Sequence, residues 1–259
     1  MQAPSPLVRL ENVGFAYAKN GNGLRVVDKL LMEILNGEVL GIYGGNGSAK
    51  STLLNLLAGF YEPSEGTISF ASGSNPATAY LTQDFAATLL PWFKGRTNLL
   101  LPLRYAGVPL GEAEQTVSEL VEDFAPNLDL EKYTHQMSGG QQQILGLLRC
   151  FAALLAASHK SALALLDEPW SAVNFQRMLA MRPKLTEWAK RHGVTVVIAS
   201  HNLDDLPIAC SRVLTVVGPP LRVVCEVKLD LPHPRKQLDL AGPKLMEAKA
   251  QIYGSLEAA

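Results

Sequence analysis

The chain has 259 residues, 47% of them hydrophobic, and its 23 Lys and Arg nearly balance 24 Asp and Glu for a formal charge of −1. That length and apolar content suit one α/β unit with its own core. The balanced charge argues against the basic excess by which nucleic acid is held, so no nucleic-acid partner is expected.

The opening MQAPSPLVRLENV lacks the basic-then-apolar layout of a secretory signal. The longest apolar stretch, 144–157, is broken by Arg149, so no segment is expected to span a membrane. Cys150, Cys210 and Cys225 are odd in number and far apart, and read as small buried hydrophobes.

Residues 7–70 alternate apolar and polar in short runs separated by Gly and Asn, which predicts strands joined by hairpins. VRLENVGFAY is a strand and KNGNG a loop; VVDKLLMEIL runs to a turn at Asn36-Gly37, and VLGIYG is a short apolar strand. A helix is predicted from Lys50 to Ala58, stopped near Gly59. From Asp84 to Ala156 the spacing turns helical. ALALLD (162–167) reads as a buried strand, a helical stretch runs on to Lys190, and VTVVIAS is another buried strand. VLTVVGPPLRVVCEV predicts a hairpin turned at Gly218-Pro219-Pro220, and a helix is predicted from Gly242 onward. With no repeat or linker, a single unit over 1–259 is expected.

The segment GIYGGNGSAKST carries the most chemistry. A strand ends, a Gly-rich loop follows, and a Lys with two hydroxyl residues opens a helix. Gly44, Gly45 and Gly47, with Asn46 and Ser48 between them, let the backbone curl so that N–H groups cradle phosphate oxygens at a helix N-terminus. Lys50 would reach β- and γ-phosphates and Ser51, followed by Thr52, would ligate Mg²⁺. Ala49 stands where the strict pattern has Gly; if that position needs φ > 0, the methyl costs on the order of 1 kcal/mol. Further on, Asp167 and Glu168 sit at the C-terminal end of ALALLD, where open α/β sheets place ligands. Asp167 suits Mg²⁺ and Glu168 suits polarising an attacking water.

Between these lies Met137-Ser138-Gly139-Gly140-Gln141, directly before a helix. The order of the three segments resembles the ABC ATPase family, whose signature reads Leu-Ser-Gly-Gly-Gln, and the resemblance covers nearly the whole chain. It implies a P-loop NTPase (RecA-like) α/β core with an N-terminal antiparallel β-subdomain, a helical subdomain at about 85–156 and a C-terminal helical tail at about 229–259. It also implies ATP and Mg²⁺ as ligands. Tyr17 matches the aromatic that stacks on adenine, and Gln83 in YLTQD matches the residue that contacts Mg²⁺ and the water. His201 in SHNLDD matches the residue at the γ-phosphate. Ser138, Gly139, Gly140 and Gln141 would serve a nucleotide held by a second such domain, identical or not.

Leu89-Leu90-Pro91-Trp92 with Asn98-Leu99, and Leu231-Pro232-His233-Pro234-Arg235, resemble the importer branch for nitrate, sulfonates and taurine. The resemblance implies polytopic permease subunits contacting an exposed Leu90 and Trp92, an extracytoplasmic solute-binding protein, and a peripheral place on the cytoplasmic face of the membrane. Besides Ala49, the departures are Asn174 for the usual Asp in the loop after Glu168, and Ile144 where many members carry Arg. They keep two alternatives open: a weakly hydrolysing regulatory half of an asymmetric pair, and a non-transport ABC ATPase.

Overall fold

The alternation at the start of the chain becomes two antiparallel strands, β1 (Pro6–Tyr17) and β2 (Leu24–Leu35), paired from Pro6↔Leu35 to Tyr17↔Leu24. This computed structural model describes residues 5–17, 23–71, 73–157, 161–231, 233, 235, 239 and 241–258. The predicted loop KNGNG, apart from Gly23, lies outside the described residues, as do Pro232 and Pro234.

After β3 (Val39–Tyr43) comes α1 (Lys50–Leu57), capped by Ala58 and left at Gly59 with φ 74°. This is the stop that a glycine free to turn left-handed provides. β4 (Glu65–Phe70) pairs with the other side of β1 and completes a three-stranded sheet of order β2-β1-β4.

The second sheet has six strands in the order β5-β6-β7-β3-β8-β9, with β5 (Ala77–Leu81), β6 (Ala162–Asp167), β7 (Val194–Ser200), β8 (Arg212–Val217) and β9 (Arg222–Lys228). All neighbours run parallel except β8 and β9, the hairpin read around Gly218-Pro219-Pro220. β6 and β7 are buried along their whole length, which is why they read as mainly apolar runs. Their alternate residues feed two cores. Leu163, Leu165, Val197 and Ala199 pack with α1 and the three-stranded sheet, while Ala164, Leu166, Val196 and Ile198 pack with the helices on the other face.

Those helices are α2 (Gly95–Tyr105), α3 (Leu110–Phe124), α4 (Gly139–Ala156), α5 (Phe175–His192), α6 (Leu206–Ala209) and α7 (Pro243–Glu257). α3 buries Ala113, Val117, Leu120 and Phe124, a single stripe at helical spacing. The stretch from Asp84 to Ala156 is thus not continuously helical: a 3₁₀ turn at Phe85–Thr88 precedes α2. Cys150 and Cys210 are buried thiols, whereas Cys225 is only half-buried because β9 is an edge strand.

Leu90 departs from its expected exposure. Asn98 clamps its backbone, accepting from Leu90 N–H at 2.8 Å and donating to Leu90 O at 3.1 Å, and the side chain is half-buried. Trp92, beyond the clamp, is 66% exposed.

Candidate nucleotide site at the sheet's carboxyl edge

Parallel register aligns the strand ends. Tyr43 pairs with Ser200, Asp167 with Ala199 and Leu81 with Leu166, so the segments that follow β3, β5, β6 and β7 emerge side by side. Open parallel sheets bind ligands at such an edge.

The loop from β3 to α1 turns tightly. A Cβ on Gly44 would stand 2.6 Å from Val216 O and 2.8 Å from Ser48 Oγ, so only glycine fits there. Gly47 (φ 79°) and Ala49 (φ 70°) both have left-handed backbone. The position that the pattern reserves for Gly therefore does need φ > 0, and Ala49 carries its methyl there at about 1–2 kcal/mol. Lys50 is buried, and its Nζ donates to Gly44 O (2.7 Å) and Gly45 O (3.0 Å). Burial pushes its ammonium below the ordinary lysine range, while Glu168 and Asp167 draw it back up.

Asp167, at the end of β6, is buried and hydrogen-bonded to Ser51 and Tyr80. Burial raises its carboxyl above the ordinary range and the neighbouring Glu168 adds to this, against the pull of the Ser51 bond, Lys50 and the Tyr80 bond. The next residue, Glu168, has φ 50° and donates its N–H to Ala199 O at 3.0 Å. Its Oε1 accepts from His201 N–H (2.8 Å) and lies 2.7 Å from His201 Nδ1; its Oε2 is 3.2 Å from Ser200 Oγ. Ser200 Oγ is also 3.1 Å from Asp205 Oδ2, and Asp205 is ion-paired with the buried Arg182. From behind, Gln143 on α4 donates to Glu168 O at 2.8 Å.

Tyr17 is 41% exposed, with its hydroxyl 2.9 Å from Thr52 Oγ1 and its ring edge-on to Phe15 and Tyr61. Tyr17, the loop 46–52, Gln83, Asp167 and Glu168 line one hollow of about 330 Å³, and His201 borders it through Glu168. Ser138, Gly139, Gly140 and Gln141 do not line it. They form the first turn of α4, where Ser138 and Gln141 make a reciprocal capping box. Reading the sequence missed Tyr61, Tyr80, Gln143, Ser200 and Asp205. Only their nearness to motif residues in YLTQD, GGQQQ and SHNLDD could have drawn attention to the last four.

These residues fit a nucleoside triphosphate and its metal. Ser48 Oγ is buried without a partner among the described residues, the Gly44 position admits no Cβ, and a lysine ammonium sits at a helix N-terminus. Ser51 hydroxyl, Gln83 amide and Asp167 carboxylate are hard oxygen donors suited to Mg²⁺. Among the described residues no group of three His, Cys, Asp or Glu forms a cage.

The family model described as ABC transporter matches residues 27–171. The taurine import ATP-binding protein TauB of Pseudomonas aeruginosa is 31% identical over 231 residues, covering 85% of this chain and 82% of that protein. The nitrate transport protein NasD of Klebsiella oxytoca is 27% identical over 244 residues, covering 91% of this chain and 90% of that one. A dimeric ATP-binding cassette solved in a post-hydrolysis state with ADP and Pi has the same fold, with a TM-score of 0.74 at 22% identity over 87% of this chain and 100% of that chain.

Proposed function

The chain belongs to the ABC transporter family, and from that premise we propose that it hydrolyses ATP to drive import of a small solute of the nitrate, sulfonate or taurine class. The observation that carries the proposal is Glu168. Its buried carboxylate lies beside Lys50 and Asp167 in one hollow, held by His201 and Ser200.

Each residue then has a task. The backbone of Gly44–Ala49 and the Lys50 ammonium bind the β- and γ-phosphates; Lys50 exchanges two neutral carbonyl acceptors for charged oxygens. Ser51, Gln83 and Asp167 would hold Mg²⁺, which when bound neutralises charge on the phosphates. Tyr17 offers a ring face to adenine. Glu168 orients a water and takes its proton as the water oxygen bonds to the γ-phosphorus and the bridging bond to ADP breaks. His201, fixed by Glu168, is the donor to the γ-phosphate oxygens.

Hydrolysis on this reading needs a second cassette. The first turn of α4, with Ser138, Gly139, Gly140 and Gln141, presents a helix N-terminus away from its own hollow, which supports service to a nucleotide held by the partner. Closing the two cassettes on ATP would move permease subunits through the exposed Trp92 and the adjoining half-buried Leu90. Among the described residues no helix is long and apolar enough to cross a membrane; a peripheral place on the cytoplasmic face, beneath the permease, goes with the proposed coupling to permease subunits. An extracytoplasmic solute-binding protein would deliver the solute. Asn174, at the departure from the family's Asp, caps α5 by accepting from Arg177 N–H at 2.9 Å, as Asp would.

The test is Glu168→Gln, which keeps the shape and removes the proton acceptor. ATP binding should persist, turnover should fall by about 10²–10⁴-fold, and the ATP-bound dimer should accumulate. Phosphate release at the wild-type rate would refute the assignment.

A further inference from the structure

We propose that Gln143, a residue of α4 outside the signature turn, is a positioning residue for Glu168, acting on its main chain. The inference rests on Glu168 being the base. Gln143 is 1% exposed, and a buried amide has to find partners. It finds them all in one short segment. Nε2 donates to Glu168 O at 2.8 Å and to Ser171 Oγ at 3.1 Å, and Oε1 accepts from Ala172 N–H at 2.7 Å. One side chain thus spans the turn from Glu168 to Ala172.

That turn needs holding. Glu168 has φ 50°, a left-handed backbone that costs a β-carbon residue about 1–2 kcal/mol and persists only where the surroundings impose it. On its N-terminal side Glu168 is fixed by its N–H to Ala199 O at 3.0 Å. On its C-terminal side the Glu168 carbonyl is shared by Ser171 N–H (3.2 Å) and Gln143. That backbone angle fixes where the Glu168 side chain leaves the main chain toward His201 and Ser200, so Gln143 supports its placement from the opposite side of the chain.

The contact is also close enough to transmit small movements. A Cβ on Gly140 would lie 2.6 Å from Ala172 O, so the first turn of α4 and the turn behind Glu168 are packed main chain to main chain. Displacement of one shifts the other, and misplacing a reacting group by about 1 Å costs on the order of 10²-fold in rate.

The experiment uses the full chain with Mg-ATP and measures turnover and nucleotide affinity separately. Gln143→Met keeps length and volume but removes all three hydrogen bonds. kcat is expected to fall about 10- to 100-fold, with the ATP dissociation constant within about twofold, because Gln143 touches none of the loop 44–52. Ser171→Ala, at an exposed residue, removes one bond with little risk to folding and should lower kcat in the same direction by less. In the Glu168→Gln background, Gln143→Met should cause no further loss, since residues acting as a unit are non-additive. Wild-type kcat in both Gln143→Met and Ser171→Ala would overturn the proposal. So would equal losses of affinity, thermal midpoint and kcat, or an undiminished further loss on top of Glu168→Gln. If Glu168→Gln alone retains turnover, the failure belongs to the reading of Glu168 instead.

Discussion

Replacing Ala49 by Gly removes one methyl from a backbone held at φ 70°, ψ 22° at the start of α1. The left-handed conformation costs a residue with a β-carbon about 1–2 kcal/mol, and glycine escapes it. Against that gain, glycine gives the unfolded chain roughly 0.4–1 kcal/mol more freedom. The methyl also packs, half-buried, against the core formed with α1, and losing it costs about 0.4 kcal/mol at half the value of a buried CH₂. The balance is a stabilisation of about 0.5 kcal/mol, which for a chain this long raises the thermal midpoint by about 1–2 °C. The turn is imposed by the chain's own bonds: Ser48 N–H to Gly45 O, Leu53 N–H to Ala49 O, and Lys50 Nζ to Gly44 O and Gly45 O. The strain therefore belongs to folding, and a ligand alters an equilibrium only through what it distinguishes. ATP affinity of Ala49→Gly should stay within about twofold of the parent. Thermal or urea unfolding paired with nucleotide titration checks both halves. A variant with an unchanged midpoint that binds ATP tenfold tighter, about 1.4 kcal/mol, would show that the strain arises on binding and would sink this reasoning.

Trp92→Ala should leave stability within about 0.5 kcal/mol, as truncation of an exposed side chain does. ATPase of the isolated subunit should not change, while transport by the reconstituted complex falls; an equal fall in both would make Trp92 a packing residue. His233 should impose an acid limit on stability. Its two ring nitrogens are buried without partners among the described residues, and burial, with Arg235 and Lys190 adding to it, pushes its pKa down to about 4 from an ordinary 6.5. Between those values the unfolded chain binds the proton and the folded one does not, so stability falls as pH drops from 6.5 toward 4. Allowing for partial solvent screening, the loss is about 1–2 kcal/mol. Urea midpoints at several pH values should show a flatter profile for His233→Phe than for the parent; identical profiles would dismiss the effect.

Elements whose signal is contiguous are legible in the amino-acid sequence alone. The helix at Lys50–Leu57 is bounded by a Gly-rich loop and Gly59, and the strands at 162–167 and 194–200 are mostly apolar, and buried throughout, because both faces of the sheet are covered. β5 carries no such signal: ATAYL is five residues with mixed exposure and takes its place only by pairing with β6. The phosphate loop, Asp167-Glu168 and the Ser138–Gln141 turn are legible because each packs its chemistry into a few consecutive residues. The meeting of the first two in one hollow, outside which the Ser138–Gln141 turn lies, rests on strand order, which brings the ends of β3, β5, β6 and β7 together although β3 and β7 are some 150 residues apart in the chain.

Other properties are set only by long-range contacts. The left-handed backbone of Ala49 is no more than a conditional cost in the sequence, because nothing in the letter Ala signals φ 70°. The half-burial of Leu90 depends on Asn98 eight residues away, and the grip of Gln143 on Glu168 on a partner twenty-five residues away. The amino-acid sequence determined which groups are available and how their neighbourhoods fold, since propensity, capping and apolar period act within a turn or two of chain. The tertiary structure alone decided which of those groups meet, because hydrogen bonds and burial act over about 3–4 Å of space without regard to separation along the chain.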